Sequence, residues 1–349
     1  MKKIIVIAIT FFVFCKNCMA STVVMDMDNN RVLYENNKDE VKLIASTTKI
    51  MTALLALESN RVEEIVTVGD EVLSMYGSNI YIEKGEEMPL LDLIYGLMLR
   101  SGNDASVSIA KFVSGSIPSF VNDMNKKAQS LGMTNTKYEN PNGLDDETQN
   151  YSSAYDLCLL YSYAYKYPLF RQIVASKYYK TTSSLKAYTW KNRNELLFNY
   201  DKATGGKTGY TPKAGRILVS SASNNDVNLC IATISKDSYL YDFHEKKYDY
   251  MFENYEKYKI IDKETFKIKG YDNAYVDHDF IITLSKQEYN TIKTDIIINE
   301  KKQGNLIGKV NTYMGKELID TNNIYLKKEA KKLNLLDKII QFFENILPF

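Results

Sequence analysis

Apolar and polar residues along this chain change period several times, and each change marks a different element. Lys2 and Lys3 precede an apolar run over residues 4–14. Alternation through residues 21–27 runs into the polar cluster Asp28-Asn29-Asn30 and resumes over 31–34, which predicts a β-hairpin. Over residues 47–57 the spacing becomes helical, with Ile50, Leu54 and Leu57 on one face. Ser46 stands at the start of that helix, where a serine also makes a good N-cap. Residues 90–99 are almost wholly apolar and predict a buried helix that ends in the polar Ser101-Gly102-Asn103-Asp104. Helical spacing returns over 105–113, over 120–131 (closed by Gly132) and over 154–165, with Asn140-Pro141-Asn142-Gly143 reading as a turn.

Beyond Gly205-Gly206 the runs 216–221 and 228–234 are strand-like, separated by Asn224-Asn225-Asp226, and 239–258 is helical. Strands from both chain ends thus flank a helical block, as in an α/β layer. Past residue 258 short β-like runs (280–284, 294–298, 306–311) predict a second, β-rich domain. From 327 the period changes again: Leu335, Leu336, Ile339, Ile340, Phe342, Phe343, Ile346 and Leu347 share one face, with lysines opposite. That is an amphipathic helix suited to a membrane surface, packing against the β-rich domain being the alternative. The expected division is 1–20 signal peptide, 21–258 catalytic domain, 259–326 β-rich domain and 327–349 amphipathic helix.

Composition narrows the field. A chain of 349 residues suits two domains, and 45% hydrophobic with 25% charged residues is ordinary for a globular protein. A net charge of +1 gives no electrostatic case for nucleic acid. The apolar run at the start falls short of the roughly 20 residues a spanning helix needs, so it reads as a secretory signal, with export to the outer face of the cytoplasmic membrane or the cell wall. Cys15 and Cys18 would leave with it. Cys158 and Cys230 both sit in apolar contexts and read as buried free thiols.

A serine hydroxyl needs a base before it attacks anything, and the chain holds two histidines, His244 and His278, neither with a convincing Ser/Asp partner. Lysine is the other choice. Ser46 and Lys49 stand three apart at a helix start, so one turn places both side chains on one face. Lys49 works as a base only if burial or a second cation lowers its pKa, and Lys207 could be that cation. Taken alone, Ser46 would be an N-cap and Lys49 a solvated residue. Lys207-Thr208-Gly209 follows two glycines, but a phosphate-binding loop needs a glycine where Asp201 stands. On an edge strand the same three residues offer a cation, a hydroxyl and an open backbone, and the N–H groups of Tyr210 and Ser46 could form an oxyanion hole. No metal-ligand cluster and no cofactor motif stand out.

In order and spacing, Ser46-Thr47-Thr48-Lys49, Ser101-Gly102-Asn103 and Lys207-Thr208-Gly209 resemble the motifs of the penicillin-binding D-alanyl-D-alanine carboxypeptidases, the low-molecular-mass serine peptidases of bacterial cell walls. The likeness extends through residues 44–58, 97–105, 140–144 and 206–211, and runs from about 23 to 258. It implies a β-lactamase/transpeptidase-like α/β fold, an antiparallel sheet flanked by helices with an all-helical subdomain. It also implies Ser46 as acylated nucleophile, Lys49 as its base, Ser101 and Asn103 as proton relay and substrate holder, and Lys207, Thr208, Gly209 and Tyr210 as substrate contacts. The implied substrate is the peptidoglycan pentapeptide, with β-lactams as inhibitors. One departure stands out: relatives often carry an arginine on the strand after Lys-Thr-Gly, whereas 231–237 offers only Lys236. Arg193 resembles a second arginine of some relatives. A β-lactamase of the same fold, which would need an acid such as Glu139 near the deacylating water, and a non-catalytic wall-binding scaffold are the alternatives.

Overall fold

Largely apolar strand segments at both ends of the first unit build one antiparallel sheet. Its strands are β1 (Ser21–Asp26), β2 (Arg31–Asn36), β3 (Ala203–Thr211), β4 (Gly215–Asn224) and β5 (Val227–Ser235), in the order β2-β1-β5-β4-β3. The register pairs Val23 with Ala232 and Val219 with Lys207, so the first strand closes onto the last ones and β3 is left at an edge. The computed structural model describes residues 20–271 and 273–327, which fall into two units divided between Asn254 and Tyr255.

Both faces of the sheet are covered, which is why its inner strands read as nearly continuous apolar runs. Ser220 and Ser221 show the alternation directly, since adjacent strand residues point to opposite faces. Helix α3 (Ala154–Ala164) sends the Tyr161 hydroxyl to Ser221 at 3.0 Å. Helix α4 (Leu240–Asn254) brings His244 Nδ1 to Ser220 at 2.8 Å and its Nε2 to Thr233 at 3.0 Å from the other side. His244 is therefore a core residue, and burial pushes its pKa down to about 3. Cys158 and Cys230 are buried free thiols in the same core.

The helical block holds α1 (Lys49–Glu58), α2 (Asn103–Ser114) and the helix Ile117–Ser130, whose Ser116 cap accepts from the Ser119 N–H. Two expected helix limits shift for local reasons. The segment before α1 is a 3-10 turn, Ala45–Thr48, so Ser46 precedes the α-helix and caps nothing with its side chain. The apolar helix from Leu90 stays α-helical to Tyr95 and then widens into a π-turn, Gly96–Arg100.

The second unit pairs Tyr255–Ile261 with Phe280–Ser285 and builds a sheet of Ala274–Val276, Glu317–Leu326, Leu306–Met314 and Ile292–Gln303. The expected boundary at 258 falls inside the strand Tyr255–Ile261, where the alternation of Tyr and Lys ends helical spacing at Asn254. The expected signal peptide, but for its last residue, and the amphipathic helix lie outside the described residues. Among the described residues no helix is long and apolar enough to cross a membrane.

Candidate active site

The 3-10 turn that carries Ser46 is shaped by glycines from two distant segments. Gly143, at φ +87°, lies so close that an added Cβ would stand 1.9 Å from the Ala45 carbonyl oxygen. Gly209 of β3 approaches from the other side, its notional Cβ 3.3 Å from the Ser46 nitrogen. Ala45 itself takes the left-handed region at φ +43°, a conformation that costs a non-glycine residue about 1 kcal/mol or more. The turn Asn140-Pro141-Asn142-Gly143 is folded by its own first side chain, since Asn140 Oδ1 accepts from the N–H of Asn142 and Gly143 at 3.2 and 2.6 Å. Thr52 of α1 then fastens it by donating to the Pro141 carbonyl at 2.6 Å.

Lys49 follows one turn after Ser46 and is fully buried. Its Nζ lies 3.0 Å from Ser46 Oγ, 2.7 Å from Asn103 Oδ1 and 2.5 Å from the Asn142 carbonyl oxygen. A neutral amine has two N–H donors and one lone pair. The two obligate acceptors take both donors, which leaves the lone pair for the Ser46 hydroxyl proton. Burial drives the Lys49 pKa well below the usual lysine range; the nearby Lys207 and Arg193 cations push the same way and Asp104 opposes them.

Ser101 ends the π-turn with φ +65°, again left-handed. This irregular backbone turns its hydroxyl toward β3, where Lys207 Nζ approaches Ser101 Oγ at 3.0 Å and the Thr208 carbonyl at 2.8 Å. Lys207 is buried as well, and burial followed by the Arg193 charge brings its pKa down to about 7. Asn103 opens α2 and is held by donating Nδ2 to the Tyr76 carbonyl at 2.7 Å. Asp104 accepts from the N–H groups of Ile80 and Tyr81 at 3.0 and 2.7 Å, fixing the loop that supplies that carbonyl. Three separate segments thus bring together two bonded groups, Ser46–Lys49–Asn103 and Ser101–Lys207.

Residues 17–238 match the family model described as D-alanyl-D-alanine carboxypeptidase. The chain belongs to that family. It is 30% identical over 339 residues to the D-alanyl-D-alanine carboxypeptidase DacF of Bacillus subtilis, covering 90% of this chain and 87% of the relative. It is 28% identical over 354 residues to DacA of Escherichia coli K12, covering 93% and 86%. Penicillin binding protein 5 of Haemophilus influenzae has the same mixed helix-and-sheet fold, with a TM-score of 0.74 at 28% identity over 89% of this chain and 97% of that one. The protein is a serine-type carboxypeptidase.

The carboxypeptidase opens its site into a cleft of about 540 Å3 lined by Ser46, Ser101, Thr208, Gly209 and Tyr210. Lys49, Asn103 and Lys207 stand behind that wall, buried. Arg193 lines the cleft; its Nη1 donates to Ser78 Oγ at 2.7 Å. Burial and the neighbouring Arg100 hold its pKa below the usual arginine range. Arg100 and Arg216 also reach the cleft, and neither was legible as a site residue. The antiparallel ladder brings in Arg216 by pairing it with Tyr210. Glu139 pairs with Lys137 at 2.6 Å and accepts from the Gln149 N–H at 2.9 Å, away from the cleft lining.

Proposed function

We propose that the carboxypeptidase removes the terminal D-alanine from peptidoglycan stem peptides through an acyl-enzyme on Ser46, and that β-lactams inhibit it by acylating the same oxygen. The observation that carries the reading is the Lys49 nitrogen 3.0 Å from Ser46 Oγ, with both of its amine protons directed to acceptors. Neutral Lys49 takes the serine proton while Oγ attacks the penultimate D-Ala carbonyl carbon. The backbone N–H groups of Ser46 and Tyr210 receive the developing oxyanion. The C–N bond then breaks, and the leaving amine takes a proton delivered through Lys49 and the Ser101–Lys207 pair. Water, deprotonated by Lys49, hydrolyses the ester and returns Ser46. Thr208 and Arg193 hold the terminal carboxylate, and Asn103, its oxygen on Lys49 and its amide on the Tyr76 carbonyl, positions the base. The family's cell-wall substrate supports export, which we place at the outer face of the cytoplasmic membrane or the cell wall; the amphipathic spacing of the sequence from 327 supports a membrane-surface anchor.

Intact mass after penicillin treatment tests the nucleophile: wild type gains one adduct and Ser46→Ala gains none. An adduct on Ser46→Ala overturns the assignment. D-Alanine release from diacetyl-Lys-D-Ala-D-Ala tests the activity, and fast nitrocefin turnover would favour a β-lactamase instead.

A further inference from the structure

The two acceptors that hold Lys49 depend on two loops far apart in the chain. One acceptor is Asn103 Oδ1, and Asn103 is itself held by the Tyr76 carbonyl at 2.7 Å. The other is the Asn142 carbonyl, in the turn that Thr52 fastens from α1. The same two loops meet again through their side chains. The Tyr76 hydroxyl donates to Asp146 Oδ2 in the loop of Asn142, and Asn142 Nδ2 lies 3.7 Å from Met75 Sδ. The neighbouring Asp145 is buried and accepts from the Thr211 hydroxyl, while its carbonyl accepts from Lys213 Nζ at 2.7 Å. The Asn142 loop is thus tied to the end of β3 on one side and to Tyr76 on the other.

Tyr76 is 51% exposed and Asp146 is exposed too, a setting in which a polar pair adds little to folding stability. A phenol on a carboxylate is still a directional, charge-assisted bond. Its bond to Asp146 pushes the Tyr76 pKa up to about 12, so the phenol keeps the proton it donates at neutral pH. Gly77 follows at φ +79°, and a Cβ there would stand 3.2 Å from Asn103 Nδ2. A glycine at that joint leaves the Tyr76 carbonyl free to shift unless the ring is tied. What holds the ring therefore reaches Asn103, and through it Lys49.

We propose that Tyr76 and Asp146 are positioning residues of this carboxypeptidase, clamping together the two loops on which the Lys49 acceptors depend and so keeping the lysine lone pair on Ser46. The inference rests on the reading of Lys49 as the base for Ser46. The clamp works on the rate of acylation through the geometry of that lone pair, and it leaves the binding of substrate to other residues.

Acylation of Ser46 by penicillin, followed by intact mass at a series of concentrations, gives a limiting rate and a half-saturating concentration. Tyr76→Phe and Asp146→Ala should each lower the limiting rate roughly 10-fold and leave the half-saturating concentration within about twofold of wild type. Because the two groups act as one clamp, the double variant should be no slower than the slower single variant. Asp146→Asn keeps an acceptor for the phenol but loses the charge that faces Lys213 at 4.0 Å, and it should recover most of the rate. Losses that multiply in the double variant, a loss confined to the half-saturating concentration, or unchanged rates in both single variants overturn the inference. Asp146→Asn as slow as Asp146→Ala overturns it too, since the pair with Lys213 would then carry the effect. A wild type that gains no adduct, or a Ser46→Ala that gains one, strikes the nucleophile reading itself.

Discussion

Lys49 Nζ lies 3.0 Å from Ser46 Oγ in a site where, among the described residues, no carboxylate pairs with that lysine within 4.0 Å. The absence of a counter-ion is what makes the pair chemically useful. A buried lysine beside an aspartate would keep its proton; this one is pressed to give it up by burial and by two cations.

Acylation should therefore fall as the pH drops through the Lys49 pKa, which lies well below the usual lysine range, because protonation removes the base. Lys207→Gln deletes one of the cations that depress Lys49. Its Lys49 pKa should rise, moving the acid limb up by about one pH unit. The measurement is the second-order rate of penicillin acylation of Ser46 between pH 5 and 9, with the position of the limb as readout and not its height. A limb that stays in place removes Lys207 from the tuning of Lys49.

Asn103 supplies the complementary test. Its Oδ1 sits 2.7 Å from Lys49 Nζ as a neutral acceptor. Asn103→Asp keeps the shape and adds a negative charge there, which stabilises the ammonium. The acid limb should climb by about 1–3 pH units, so acylation at pH 7 falls while activity at pH 9 recovers in part. Asn103→Ala should lower the rate at every pH without that climb. Recovery at high pH in both variants would contradict the electrostatic account.

Gly143 is a steric prediction. A Cβ there meets the Ala45 carbonyl at 1.9 Å, and its φ of +87° is unfavourable for any side chain. Gly143→Ala should displace the Ser46 turn, and a shift of about 1 Å is enough to cost roughly 100-fold in kcat/KM. Folded protein with unchanged acylation would show that the turn can yield.

Most of the residues gathered at the candidate site were legible because the proposed chemistry fixes residue types at fixed spacing. Ser46 and Lys49 are one helical turn apart, and Lys207-Thr208-Gly209, once Asp201 rules out a phosphate loop, reads as the edge-strand segment that β3 provides. What stayed hidden depends on backbone geometry. Asn142 acts on Lys49 through its carbonyl, which has no side-chain signature. Ser101 is aimed by a π-turn where apolar spacing predicts only a helix. Arg216 was missed because an arginine was sought on the strand over 231–237, while antiparallel pairing brings residue 216 opposite Tyr210. The shift of the unit boundary from 258 to 254 has a similar cause, since an alternating Tyr/Lys segment fits either period until its partner strand, Phe280–Ser285, is known.

His244 carries the last prediction, one of stability. It is fully buried between α4 and the sheet, with both ring nitrogens bonded to hydroxyls and its pKa down to about 3. In the unfolded chain the same ring takes a proton near its ordinary 6.5. Between those values the unfolded state binds a proton that the folded state does not. Stability from this group is thus fully present above about 6.5 and is lost as the pH falls toward 3. The loss amounts to on the order of 4 kcal/mol across the window. His244→Gln can bond the same hydroxyls without titrating. Denaturant unfolding of the two proteins at pH 7.5 and pH 4 isolates the effect, because every other group cancels in the difference. Wild type should be the more stable at pH 7.5 and should lose more on acidification than the variant; parallel losses would mean that the ring is not held neutral in the folded protein.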